Sequence, residues 1–197
     1  MATVPPGLEH ALNAVHTASG GDEEWLLFSA LKQYTNAFIW DPERRRILLG
    51  LKKRGFAEGM YNGFGGKKEA DESILEAAKR ELKEEAGIDA PLERIGTLLF
   101  VVGNATPAFD IHVFSATTFD GIPVETDEMS PQWFSLDEIP FDQMWSDDIY
   151  WMPLLLEGKH FMGRADFAAP DIAKGERFAG RMTKWWFGTV DEAQSTL

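Results

Sequence analysis

Three carboxylates at helical spacing constrain this chain more than any other feature. Glu81, Glu84 and Glu85 stand at i, i+3 and i+4, which sets them on one side of an α-helix. The segment that carries them runs from Gly66 to Ile88, follows the glycine pair Gly65-Gly66 and closes at Gly87. A helix is predicted from about Ser73 to Glu85, with Gly87 as its C-cap glycine. Ile74, Ala77, Ala78 and Leu82 fall on its other side and should face a core. Glu is a good helix former, and Glu84-Glu85 alone would read as a solvated face. Three like charges on one turn repel, however, and a divalent cation held by oxygen ligands is the chemistry that suits them.

The chain has 197 residues, 44% of them hydrophobic and 12% aromatic. That supports a packed core of one domain with room for an appended segment. The absence of cysteine excludes disulfides and thiolate metal sites. No apolar run has the length of a membrane span. The first Lys or Arg is Lys32, so neither a secretory nor a mitochondrial presequence is expected, and the expected compartment is the cytoplasm, with the nucleus as a second. A formal charge of −13 argues against nucleic acid as the main partner. A small anionic substrate would be repelled at long range too, so local cations must reverse the field at its site. Lys52, Lys53 and Arg54, with Lys67 and Lys68, form the densest basic cluster and flank the glycine turn. Such a run at a strand end can also be merely solvated.

Along the chain, Leu8, Ala11, Leu12 and Val15 make a short helical stripe, and Asp22-Glu23-Glu24 could open a second helix through Leu31. Residues 1–31 are therefore expected to be a helical N-terminal extension to a domain of residues 32–197. Strands are expected at 34–40, 46–51, 95–102, 110–117, 133–135, 160–167 and 184–190. The stretch from Gly55 to Gly66 holds five glycines and should be a loop lying close to something. A helix should begin near Asp147 and Asp148. Strands first, then a helix, then mixed elements give an α+β protein, with a mixed sheet and helices on its faces. His112, within a strand, reads as a core histidine.

The segment Gly66 to Ile88 resembles the Nudix box: glycine, five residues, Glu72, seven residues, then Arg80-Glu81-Leu82-Lys83-Glu84-Glu85-Ala86-Gly87-Ile88. The resemblance implies an α/β/α sandwich and a Mg²⁺-dependent hydrolase of a nucleoside diphosphate linked to a further group, with Mn²⁺ as a substitute cation. Three more segments, 50–66, 121–129 and 140–151, resemble a branch of that family, the oxidised purine nucleoside triphosphate hydrolases of animals. The likeness covers residues 32 to 167. It implies metal ligation by Glu81, Glu84, Glu85, the Gly65 carbonyl and, from a separate loop, Glu128. It implies that Thr35, Lys52, Asn62, Phe64, Gly65, Gly66, Lys67, Phe100 and Phe109 line the nucleotide site. Trp145 would stack on the purine, Asp147 and Asp148 would read its edge, and Trp151 would complete the wall. Phe109 and Ser146 stand where the animal enzymes have Met and Pro, and Met60-Tyr61 where they have Arg-Trp.

Physical chemistry bears on these roles. Oxidation of guanine at C8 turns N7 from an acceptor into an N–H donor and adds a carbonyl. Two adjacent carboxyls in an aromatic pocket do not both ionise cheaply, so one should be protonated and donate. Asp147-Asp148 would equally suit the start of a helix, and Trp145 and Trp151 could belong to a core. The expected reaction is water attack on a nucleoside triphosphate, giving monophosphate and pyrophosphate, by a monomeric enzyme. Glu85 or Glu128 would be the general base, and Arg80 would orient a box glutamate. A hydrolase of methylated purine triphosphates or dinucleoside polyphosphates, or a non-catalytic nucleotide or RNA-cap binder, are the rival expectations.

Overall fold

The computed structural model describes residues 3–9, 13–103, 107–171, 173 and 179–191. The chain divides into two compact units, one of residues 1–33, 95–111 and 147–197, the other of residues 34–94 and 112–146.

The first unit contains β1 (Val15–Gly20), the body of β5 (Glu93–Val102), α2 (Asp148–Leu156), β8 (Phe161–Phe167) and β9 (Met182–Thr189). Its strands run in the order β1-β9-β8-β5. β8 is parallel to β5 and antiparallel to β9, so the sheet is mixed and the α+β expectation holds. With a partner on each side, β8 is buried along its whole length, as strands in parallel pairs tend to be. Arg164 and Asp166 are among these buried residues, each with a wholly inaccessible side chain. They satisfy one another through a two-point pair, at 2.7 and 2.9 Å. Arg164 also donates to the Pro6 carbonyl at 2.7 Å and the Leu26 carbonyl at 2.5 Å. Asp166 accepts from the Leu26 amide at 2.6 Å. Trp25 lies over the guanidinium, 4.7 Å away.

That network explains where the N-terminal expectation fails. No helix forms over residues 22–31, because the backbone groups of Leu26 are spent on Arg164 and Asp166 instead of on an i→i−4 ladder. Nor does a helix reach Val15: residues 15–20 are β1, antiparallel to β9, with Val15 opposite Thr189. A partner that distant in sequence leaves no local signal. Ala11 and Leu12 of the expected stripe lie outside the described residues. So do residues 172 and 174–178 of the connection after Ala168.

The second unit holds most of β2 (Leu31–Asp41), then β3 (Arg46–Lys52), β4 (Tyr61–Asn62), α1 (Ile74–Ala86), the end of β6 (Ala108–Ala116) and β7 (Met129–Ser135). β3 pairs antiparallel with β2, β4 and β7. β4 and the first half of β7 were not anticipated; both are pairings of β3. α1 begins where the sequence says it should. The Ser73 hydroxyl accepts from the Glu76 amide while the Glu76 carboxylate accepts from the Ser73 amide, a complete capping box. Gly87 ends the helix at φ 74°, a left-handed conformation that suits glycine. Ala78, Leu82 and Ala86 pack with Ala37, Ile39, Leu48, Phe64, Phe114 and Met129. Glu85 is buried on the same helix.

Arg164→Ala should strand the Asp166 carboxylate in the core and remove roughly 3–5 kcal/mol of stability, read as a shift in the denaturant midpoint.

Candidate active site

Backbone from β4 into α1 brings glycine against the helix. Ala37 and Phe64 exchange backbone hydrogen bonds at 2.7 and 2.8 Å, and the Thr35 amide donates to the Gly66 carbonyl at 2.8 Å. A Cβ on Gly66 would sit 2.5 Å from Glu81 Oε1, and one on Gly65 would overlap the Thr35 carbonyl. At Gly65 the obstacle is backbone and leaves no room for a side chain, whereas at Gly66 it is the end of the Glu81 side chain, which would have to move. The Gly65 amide donates to Glu85 Oε2 at 2.8 Å.

Around this turn the acidic residues are paired with cations. Lys52, at the end of β3, donates to Glu85 Oε1 at 2.7 Å and to Glu128 Oε2 at 3.3 Å. Arg54 holds the other oxygen of Glu128 at 2.7 Å. Arg80 grips Glu72 with two nitrogens, at 2.7 and 3.0 Å, and reaches Glu81 at 2.8 Å and Glu84 at 3.2 Å. It also donates to the carbonyl of exposed Lys67. Burial raises the carboxyl pKa of Glu81 against the pull of Arg80, and that of Glu85 against the pull of Lys52. Burial would lower the Lys52 ammonium, but its bonds to Glu85 and Glu128 prevail and raise it. The Arg54 hydrogen bond, foremost, lowers Glu128. The Arg80 pair brings Glu72 down to about 2, so Glu72 braces the arginine and loop.

In this unit the expected nucleotide contacts Asn62 and Trp145 are each held by a neighbour, Asn36 and Phe56. Asn62 Oδ1 accepts from Asn36 at 2.8 Å and from the Gly63 amide at 2.8 Å. Asn36 Oδ1 is buried without a hydrogen-bond partner, an acceptor that sequence reading passed over. The Trp145 ring is stacked on Phe56, with centroids 5.6 Å apart and planes at 20°. Phe56 was also missed; an aromatic at the tip of a five-glycine loop was its only signal. His112 is buried, with Nδ1 3.0 Å from an Arg94 nitrogen, a core histidine as expected.

In the other unit Asp147 and Asp148 start α2, both buried. Asp147 makes no side-chain cap; its Oδ2 accepts the Trp151 indole N–H at 2.8 Å instead. Burial pushes its carboxyl up to about 7 despite that bond, and Oδ1 has no hydrogen-bond partner. Trp151 stacks on Phe161 at 5.4 Å. Phe100, on β5, meets Phe167 edge-on at 5.4 Å, and Phe109 is half-buried on β6.

A model of the NUDIX domain matches residues 31–155. The chain belongs to the NUDIX family. It is 50% identical over 128 residues to an oxidized purine nucleoside triphosphate hydrolase of Danio rerio, covering 64% of this chain and 82% of that protein. The Mus musculus protein of the same name is 46% identical over 144 residues, covering 73% and 91%. Among solved structures, the MutT protein of Bacillus halodurans superposes with a TM-score of 0.63 at 26% identity, covering 79% of this chain and 97% of that one.

The Nudix helix and its glycine turn thus carry two sets of hydrogen bonds and ion pairs, one joining Lys52 with Gly65, Glu85 and Glu128 and the other joining Arg80 with Glu72, Glu81 and Glu84, and Gly66 lies against Glu81. Among the described residues no three acidic or histidine side chains converge on one point; Lys52 bridges Glu85 and Glu128, and Arg80 bridges Glu81 and Glu84. The donors still fit a hard divalent cation. All are oxygens, two are desolvated, and Lys52 shows that a positive charge can lie between Glu85 and Glu128.

Gly66→Ala should push the Glu81 carboxylate aside and lower nucleotide hydrolysis by roughly 100-fold, with the far-ultraviolet circular dichroism unchanged. Asp147 gives a pH signature. The folded protein retains a proton that the unfolded chain releases between pH ~4 and ~7, so stability falls as pH rises through that window. Asp147→Asn has no such titration. Its stability relative to the parent should rise by ~2–3 kcal/mol between about pH 5 and pH 8, at about 1.4 kcal/mol per unit, in urea unfolding at both pH values.

Proposed function

We propose that this Nudix protein hydrolyses oxidised purine nucleoside triphosphates, such as 8-oxo-dGTP and 2-oxo-dATP, to monophosphate and pyrophosphate. The reading makes it a sanitising enzyme of the nucleotide pool that lowers DNA damage. The observation that carries it is Asp147: a buried carboxyl, pushed up to about 7 by burial, with one oxygen fixed by Trp151 and the other without a hydrogen-bond partner. Such a group serves as a hydrogen-bond donor to a purine edge, and buried Asp148 follows it as acceptor. Moving the proton between the two would let the same residues read either oxidised guanine or 2-oxo-adenine. Trp145 offers a stacking face worth roughly 1–3 kcal/mol per base, and Phe56 is the ring that a base would have to displace or share.

On the phosphate side, Glu81, Glu84, Glu85, Glu128 and the Gly65 carbonyl would hold Mg²⁺, with Mn²⁺ as a substitute. The bound cation supplies charge neutralisation at the phosphoryl oxygens and a lower pKa for the attacking water. Arg80 keeps Glu81 and Glu84 oriented. Glu85 or Glu128 takes a proton from the water as its oxygen bonds to phosphorus and the bridging P–O bond breaks. Residues 32–167 carry the roles drawn from the animal enzymes, with Thr35 and Asn62 at the nucleoside, Phe64 to Lys67 along the pocket and phosphate path, and Phe100 and Phe109 among the substrate-binding residues. Residues 1–31 are an addition to that domain. A monomer in the cytoplasm, and in the nucleus as well, completes the reading, and the lack of cysteine suits a reducing compartment.

Pyrophosphate release with Mg²⁺ from 8-oxo-dGTP, 2-oxo-dATP, O6-methyl-dGTP and dGTP tests the proposal. Oxidised purines should exceed dGTP in kcat/KM by roughly 100-fold or more, and Asp148→Asn should reorder 8-oxo-dGTP and 2-oxo-dATP. A protein that binds nucleotides yet releases no pyrophosphate, or one that ranks all four alike, would refute it.

A further inference from the structure

Glu85 is the most deeply placed of the acidic residues around the glycine turn, with 3% of its side chain exposed. Both of its oxygens are taken, one by the Gly65 amide and the other by Lys52. The same ammonium meets Glu128, which arrives from a separate loop. Lys52 is itself well covered, 17% exposed. Its backbone is pinned, with its amide on the Met60 carbonyl at 2.9 Å and its carbonyl receiving the Gly59 amide at 2.8 Å. Only the four-carbon stem is left to move. Arg80 differs, since it engages one oxygen each of Glu81 and Glu84 from the side.

We infer that Lys52 is the resident counter-ion of this site, occupying the point between Glu85 and Glu128 until a divalent cation displaces it. The inference rests on the metal-dependent reading above and specifies how the site is held before the metal arrives. A buried carboxylate without a partner is costly, so the fold needs a positive charge there at all times. An ammonium and a divalent cation both on Glu85 Oε1 would repel one another across a few ångström, so the two compete for that oxygen. Metal entry therefore expels the Lys52 side chain, which then stands as a free cation where the anionic tail of a nucleotide must come. Before the metal binds, Lys52 is a positioning residue that bridges Glu85 and Glu128 and holds both carboxylates in place.

Two measurements with metal alone test this. Mn²⁺ affinity, read by electron paramagnetic resonance, should be about tenfold tighter in Lys52→Met than in the parent, since the internal competitor is gone. The thermal midpoint of Lys52→Met should be lower without metal and recover when Mg²⁺ is added. In the unaltered protein, limited acetylation followed by mass spectrometry should label Lys52 several-fold more with Mg²⁺ than without, while exposed Lys67 stays constant. This second measurement needs no variant, so a Lys52→Met that fails to fold leaves the inference testable. A parent protein that binds no metal would refute the site reading itself. A parent that binds metal with no change in Lys52 labelling, or a Lys52→Met with equal or weaker affinity, would overturn this inference alone.

Discussion

Burial of negative charge along α1 is the constraint to which the rest of the site answers. Glu85 shares its helix with Ala78, Leu82 and Ala86, which pack into the core. Taking a carboxylate there from water costs several kcal/mol unless hydrogen bonds and a counter-charge replace the solvent. The Gly65 amide and the Lys52 ammonium are those replacements. Their positions in turn dictate that β3 ends at Lys52, that the turn before α1 carries no Cβ, and that Glu128 comes within reach of the same cation.

The other unit solves an equivalent problem with different means. Arg164 and Asp166, both inaccessible on β8, are matched in two-point geometry and completed by the Pro6 and Leu26 backbones. Since those backbone groups belong to the N-terminal stretch, the charge pair and that stretch stabilise one another. Asp147 stands in contrast. No cation bonds to it among the described residues, and burial pushes its carboxyl up to about 7, which suits a hydrogen-bond donor more than a metal ligand.

Much of the candidate site's local structure was legible because its signals are local. The spacing of Glu81, Glu84 and Glu85 fixes their side of the helix, Ser73 and Gly87 mark its ends, and the glycines before it announce close approach. Phe56 on Trp145, Asn36 on Asn62, and the Trp151 bond that takes Asp147 from capping duty are contacts between residues whose identities alone do not demand each other. β1 escaped notice for a related reason. Val15 to Gly20 become a strand through pairing with β9, and nothing within residues 15–20 favours extension strongly enough to reveal it.

The sequence by itself determined the acidic helix, its caps, the glycine turn and the chemistry of oxygen donors, because each is set by residues within a few positions of one another. Only the tertiary structure decided which cation neutralises which carboxylate, and that Lys52 lies between Glu85 and Glu128. It also decided that Asp147 is buried with an unpaired oxygen. Those outcomes depend on desolvation and on charges brought together across 30 to 80 residues of chain, and neither distance nor burial is written in local spacing.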